Sequence, residues 1–317
     1  MARLRLFFGT DLHGSDRCFR KFLHTGKSYK VDVSVIGGDI TGKVIIPIAE
    51  KSDGSYQAHF LGTDYFLKTR DQLEELEKKI RNTGYYPYRA GEQEFDELAS
   101  DSSKMEALFG RLMVERMTEW VSIADERLKD DKTKYYVQPG NDDPFVVDAV
   151  LQRSERITNP EGKVIDIGQG FEMASSGFAN VTPWNCPRDI PEEELESKIE
   201  SMMSQVRNMG NCIFNLHCPP FDTLLDKAPK LDKDLRLQMG LAGQELVSVG
   251  STAVRKLIEK HQPLVGLHGH IHESKGVANI GRTLCINPGS EYSEGILRGS
   301  LIQLKEGKVE SYYFLSG

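Results

Sequence analysis

Five short stretches of this chain hold residue types able to grip metal ions. They are Asp11-Leu12-His13, Gly37-Gly38-Asp39, Gly140-Asn141-Asp142, His217 ahead of Cys218-Pro219-Pro220, and His268-Gly269-His270-Ile271-His272. Singly they say little. An Asp-x-His fits a turn with a satisfied histidine, Gly-Gly-Asp fits a tight turn with an Asx cap, and His217 fits a loop residue packed on proline. The last stretch is stronger, because histidines at i and i+2 of an extended segment point the same way and reach adjacent cations. Together the stretches gather carboxylates, an asparagine and, leaving His268 aside, half of the chain's eight histidines. Hard oxygen donors mixed with imidazole suit Mn²⁺, Fe²⁺ or Zn²⁺ better than the all-oxygen surroundings typical of Ca²⁺.

Such residues need elements that deliver them to one place. Each stretch follows a short β-rich run: Leu4 to Phe8, Val31 to Ile36, Lys134 to Val137, Cys212 to Leu216 and Leu264 to Leu267. Residues just past the C-terminal ends of strands are what an open α/β sheet sets along one edge. Helical patterns fall between them, over Asp16–His24, Lys104–Lys129, Pro191–Asn208 and Ser251–His261. Further strand patterns cover Gly162–Ile167, Gly170–Ser175, Thr283–Ile286 and Leu301–Leu304. Two packed sheets with helices outside are the expected architecture.

In order along the chain these motifs read D-x-H, G-G-D, G-N-x-D, an isolated His before Pro-Pro, and G-H-x-H, followed by Asn287-Pro288-Gly289-Ser290. That order resembles the calcineurin-like metallophosphoesterase family, over nearly the whole chain except about 44–103. The resemblance implies an α/β fold, a four-layer α/β/β/α sandwich of two mixed sheets flanked by helices. It implies a dinuclear site in which Asp11, His13 and His272 hold one divalent ion and Asn141, His217 and His270 hold the other, with Asp39 bridging both. The ions, manganese, iron or zinc, would acidify a shared water, and the resulting bridging hydroxide would attack phosphorus in line.

The pattern departs from the family at one point. Many members carry histidine directly after the asparagine, where it protonates the leaving oxygen; here Gly140-Asn141-Asp142-Asp143 puts Asp142 there. A carboxylate of pKa ~3.9 is ionised at neutral pH and repels phosphate unless burial raises it. Three roles stay open for Asp142: a protonated general acid, a residue orienting Asn141 or a water, and a cap on the turn before Pro144. His268 is a replacement proton donor or a packing histidine.

The 317 residues suffice for one large domain, expected to span 1–317, and 27% charged residues with 39% hydrophobic is ordinary for a soluble protein. The net charge of −7 counts against a broad duplex nucleic-acid surface, though not against a local basic groove. No apolar run reaches the ~18–20 residues of a membrane span. The apolar run at the N-terminus breaks at Gly9-Thr10-Asp11, so it reads as a first strand rather than a secretory leader. Five cysteines without C-x-x-C spacing read as buried apolar filler in a reducing cytoplasm.

The expected activity is hydrolysis of a phosphate-ester small molecule, a nucleotide among the options, by a phosphodiesterase rather than a protein phosphatase. A catalytically weak scaffold of the same fold would tolerate loss of ligands, and none is lost here. A nuclease would use the same ligands, but the acidic total and Asp142 count against it. The ~100 residues between Asp39 and Asn141 exceed a single crossover. Within them Ile45–Ala49 and Tyr56–Leu61 read as a hairpin, Thr69–Arg81 as an amphipathic helix and Gly84–Arg89 as an aromatic loop. Phe60, Tyr65, Phe66, Tyr85, Tyr86 and Tyr88 would form either a lid that stacks an aromatic group or a satellite core.

Overall fold

The computed structural model describes residues 3–240 and 243–317. Met1 and Ala2, part of the expected first strand, lie outside the described residues. Two six-stranded mixed sheets face each other. The first runs in the order β22 (Lys308–Ser316), β21 (Arg298–Lys305), β1 (Arg3–Gly9), β2 (Val33–Ile36), β7 (Lys134–Val137) and β8 (Ile157–Thr158). The second runs β19 (Gly276–Ile280), β20 (Thr283–Asn287), β18 (Val265–Leu267), β13 (Cys212–Leu216), β10 (Phe171–Ser176) and β9 (Lys163–Gly168). In each sheet the central strands are parallel; antiparallel partners close both edges of the second sheet and the β21–β22 edge of the first, whose other edge strand β8 pairs in parallel with β7.

Strand periodicity builds the layers. Leu4, Leu6 and Phe8 of β1 point between the sheets, where they meet Phe171, Met173, Ile213 and Leu267. Phe7 points the other way, into a core shared with α1 (Asp16–Phe22), α5 (Ser102–Arg127) and α6 (Val146–Leu151). On the far side, Phe214 and Leu216 pack against Leu195 and Ile199 of α7 (Glu192–Met203) and Val254 and Leu257 of α8 (Thr252–His261). Burying both faces of each sheet gives the expected helix–sheet–sheet–helix stack. Helix α2 (Thr25–Tyr29) and three two-stranded ribbons complete the body: β11 (Ala179–Asn180) with β12 (Asp189–Ile190), β14 (Lys227–Pro229) with β17 (Leu246–Ser248), and β15 (Met239–Gly240) with β16 (Gly243–Gln244).

The segment after Asp39 builds its own sheet, in the order β5 (Thr63–Leu67), β4 (Tyr56–Phe60), β3 (Ile45–Glu50) and β6 (Tyr86–Ala90). Helix α3 (Arg70–Asn82) starts with a capping box between Thr69 and Gln72 and lays Leu73, Leu76 and Ile80 on that sheet. The expected hairpin and amphipathic helix are both present. The aromatic loop is corrected: Tyr86–Ala90 is a strand, paired in parallel with β3. Phe60 lies in the small core, with Tyr65 and Tyr85 packed against it, and Phe66 is exposed. The Pro191–Asn208 helix is also corrected, since α7 ends at Met203. Among the described residues no helix is long and apolar enough to cross a membrane.

Candidate metal centre

The loops after β1 and β2 continue side by side past the sheet edge, with Asp11 N–H donating to Gly38 O at 2.9 Å and His13 N–H to Asp39 O at 2.9 Å. Opposite them, Gly269 N–H donates to His217 O at 2.9 Å, which holds the loops after β13 and β18 together. Asp11, His13, Asp39 and His270 all have positive φ. Side chains rarely adopt that conformation, and it persists only where surrounding contacts over-determine it. Close approach explains the adjacent glycines. A Cβ on Gly38, whose φ is +135°, would lie 2.2 Å from His217 Nδ1, and one on Gly140 would lie 2.2 Å from Asp39 Oδ1.

All seven residues expected to ligate metal converge here. Asp11, His13 and His272 each offer one donor atom within 4.8 Å of the others, and so do Asp39, His217 and His270. The His217 Nε2 atom lies 3.3 Å from Asp39 Oδ1 and 4.0 Å from Asp11 Oδ1. Between the trios, His13 Nε2 is 3.6 Å from Asp39 Oδ2. Asn141 donates its amide to Asp189 Oδ1 at 2.9 Å, which turns its own oxygen toward His270 Nδ1, also 2.9 Å away.

The donor set fits a cation. The His217 Nδ1 atom faces Gly37 O at 3.0 Å and donates to it, so in the neutral ring Nε2 is a bare lone pair, buried with no hydrogen-bond partner. The His13 and His272 Nε2 atoms lie 3.0 Å apart, a separation that two lone pairs tolerate only with a proton or metal between them. Without a metal the cluster shares protons instead. Burial, then the Asp142 charge, lifts Asp39 to about 7. Burial works against charge on His217, but Asp39 and Asp11 raise it to about 10. Burial pushes His270 down to about 4, with His217 adding to the effect, so His270 is a neutral donor near pH 7.

Several supporting residues stood inside or beside the motifs without an expected role. The buried Asp143 carboxylate accepts from Ile40 N–H at 2.9 Å, Thr41 N–H at 2.8 Å, Thr41 Oγ1 at 2.6 Å and Gly140 N–H at 2.6 Å, tying the Asp39 loop to the Asn141 loop. Ser290 Oγ donates to Asp11 O at 2.7 Å and Asn287 Nδ2 to Ile271 O at 2.9 Å, so the Asn-Pro-Gly-Ser turn ties the His270–His272 loop to the first strand's loop. Tyr292 packs on His13 with ring centroids 4.7 Å apart. A position two residues past that turn was the only available hint of it.

Asp142 sits beside the cluster, its Oδ2 3.9 Å from His13 Nδ1, and with His13 and Asp39 it forms a third group of convergent donors. It is ion-paired with Lys43 and accepts from Cys186 Sγ at 2.8 Å. Burial works to raise its pKa, but Lys43, His13 and the Cys186 bond together hold it below the usual carboxylate range. The protonated-acid role is therefore disfavoured. His268 is fully buried, its Nδ1 2.8 Å from Leu216 O and 3.1 Å from Cys218 O, and burial lowers it to about 4. Its hydrogen bonds run to backbone rather than to the cluster, as a packing histidine's would.

No family model matches the chain. Over 153 residues, 47% of the chain, it is 32% identical to the uncharacterized protein MJ1162 of Methanocaldococcus jannaschii, a match that spans 61% of that protein. The crystal structure of TT1561 from Thermus thermophilus superposes with a TM-score of 0.54 at 15% identity, covering 100% of this chain and 99% of that one. A structure of an archaeal phosphodiesterase aligns over 99% of this chain and 100% of that one, with a TM-score of 0.33 and 10% identity. What the chain shares with the TT1561 structure is the α/β fold.

Proposed function

We propose that this chain is a metal-dependent phosphoesterase of the calcineurin-like kind, acting on phosphodiesters through two divalent cations. The observation that carries this reading is the convergence of seven donor residues from five strand ends, among them the buried His217 Nε2, which has no hydrogen-bond partner. Asp11, His13 and His272 would hold one ion, and Asn141, His217 and His270 the other, with Asp39 shared. Such ions, when bound, supply an acidified water and neutralise charge on phosphoryl oxygens.

The chain's own residues favour diesters. The ionised Asp142 repels the second charge of a monoester dianion more than it repels a diester monoanion. Lys43, whose side chain is 46% exposed, offers a cation at the edge of the cluster. Burial opposes its charge, but Asp39 and Asp142 hold its ammonium above the ordinary range. In this reading Asp142 positions Lys43, which draws in the phosphate where the family places a histidine. Without a positioned imidazole, activated leaving groups depart faster than alkoxides. The chain then acts as one domain over 1–317 with an insertion at about 44–103. Its five free cysteines agree with a cytoplasmic setting.

The test is divalent metal content measured beside hydrolysis of bis(p-nitrophenyl) phosphate and p-nitrophenyl phosphate, for wild type and His217→Ala. About two ions per chain are expected, with diester turnover ahead of monoester turnover and a loss of at least ~10³-fold in the variant. No bound metal, together with no turnover in added Mn²⁺, would overturn the proposal.

A further inference from the structure

An open-sided cavity of about 780 Å³ lies between the insertion's sheet and the pair α4 (Glu92–Ser100) and α5. Strand alternation makes its floor. Ile46 and Ile48 of β3 point into the small core under α3, while Ile45, Pro47 and Ala49 line the cavity. Phe95, Leu98 and Leu108 of the two helices close it from above, so the lining is largely apolar. A concave apolar space of this size falls within the range of small-molecule sites. Its rim is continuous with the candidate metal centre, because Lys43 belongs to both: it lines the cavity and pairs with Asp142. Lys43 lies four positions after Asp39, a reach of at most about 14 Å.

We propose that this cavity binds an alkyl or aryl group esterified to the phosphate, so that the substrate is a phosphodiester with one apolar arm. The inference rests on the phosphoesterase reading above. An anionic phosphate and an apolar arm on one molecule match the cationic Lys43 at the mouth and the apolar walls behind it. A purely polar diester would leave those walls unused. The cluster reads only the phosphate, and the insertion reads what is attached to it.

Two measurements test this. The first is kcat/KM for p-nitrophenyl phosphodiesters whose second arm is methyl, butyl or octyl, with Mn²⁺ present. The second is calorimetric titration of the metal-free protein with butyl phosphate and octyl phosphate. Both are expected to improve by about three- to fourfold per buried methylene. Ala49→Phe, which fills the floor, should abolish the chain-length dependence. Ala99→Trp, on the exposed helix above, should do the same should the strand variant fold poorly. Turnover that is flat with chain length, or rises equally in both variants, overturns the proposal while the phosphoesterase reading stands. Chain-length-dependent binding without any turnover keeps the cavity and sinks the phosphoesterase. A concentration-dependent dimer abolished by Ala49→Phe, with no alkyl binding, assigns the cavity wall to a second copy and also overturns it.

Discussion

The candidate metal centre and the insertion are held together in opposite ways. At the centre, buried polar atoms sit on strained backbone, and Asp143 alone ties two loops together with four hydrogen bonds. In the insertion, a four-stranded sheet packs on one amphipathic helix through side chains such as Ile46, Ile48, Leu73 and Ile80, by ordinary apolar burial. Donor placement tolerates little movement, because each loop braces another across the two sheets. A satellite core needs only hydrophobic residues of about the right volume, so it can change shape without moving the candidate donors. The division suits a rigid reacting centre with an adaptable rim.

That contrast can be broken from either side. The largest effect should come from Gly38→Ala, which puts a methyl 2.2 Å from His217 Nδ1 at a φ of +135°. Metal binding should be lost and stability reduced by roughly 2–3 kcal/mol. Metal analysis and thermal unfolding would check this, and an unchanged metal content would show that the loops are not mutually braced. Ile48→Ala, in the insertion core, should cost about 3 kcal/mol or less while leaving metal content intact. If chemical denaturation of that variant instead released the metal at the same midpoint, the two regions would be one cooperative unit. The smallest effect should be Lys43→Met. Here KM for a small diester should rise about tenfold, near 1.4 kcal/mol, with kcat little changed and weaker sensitivity to salt. A fall in kcat with KM unchanged would mean that Lys43 takes part in the chemical step instead.

Legibility in the sequence followed range of interaction. The main-sheet strands ahead of the motifs could be read because apolar runs ending in Gly, Asn or Pro are local signals, as Phe8 before Gly9 and Ile36 before Gly37 show. Helix α3 was legible for the same reason, from its amphipathic stripe. Strand β6 was not, because Pro87 and its tyrosines resemble a turn. Its partner β3 lies some forty residues back, so the register comes from tertiary packing. Local pattern also overran at α7, where mostly polar residues continue past Met203 to Asn208 but the helix does not.

The sequence by itself determined which residue types stand at strand ends, in what order, and hence which chemistry to expect, because donor identity and turn propensity are properties of short segments. Tertiary structure decided the rest. It alone brought Lys43 to Asp142 across about a hundred residues of chain, turned His268 toward backbone carbonyls, and set a cavity beside the cluster. Ion pairs, ring orientations and enclosed volumes depend on where distant segments come to rest, and no local pattern records that.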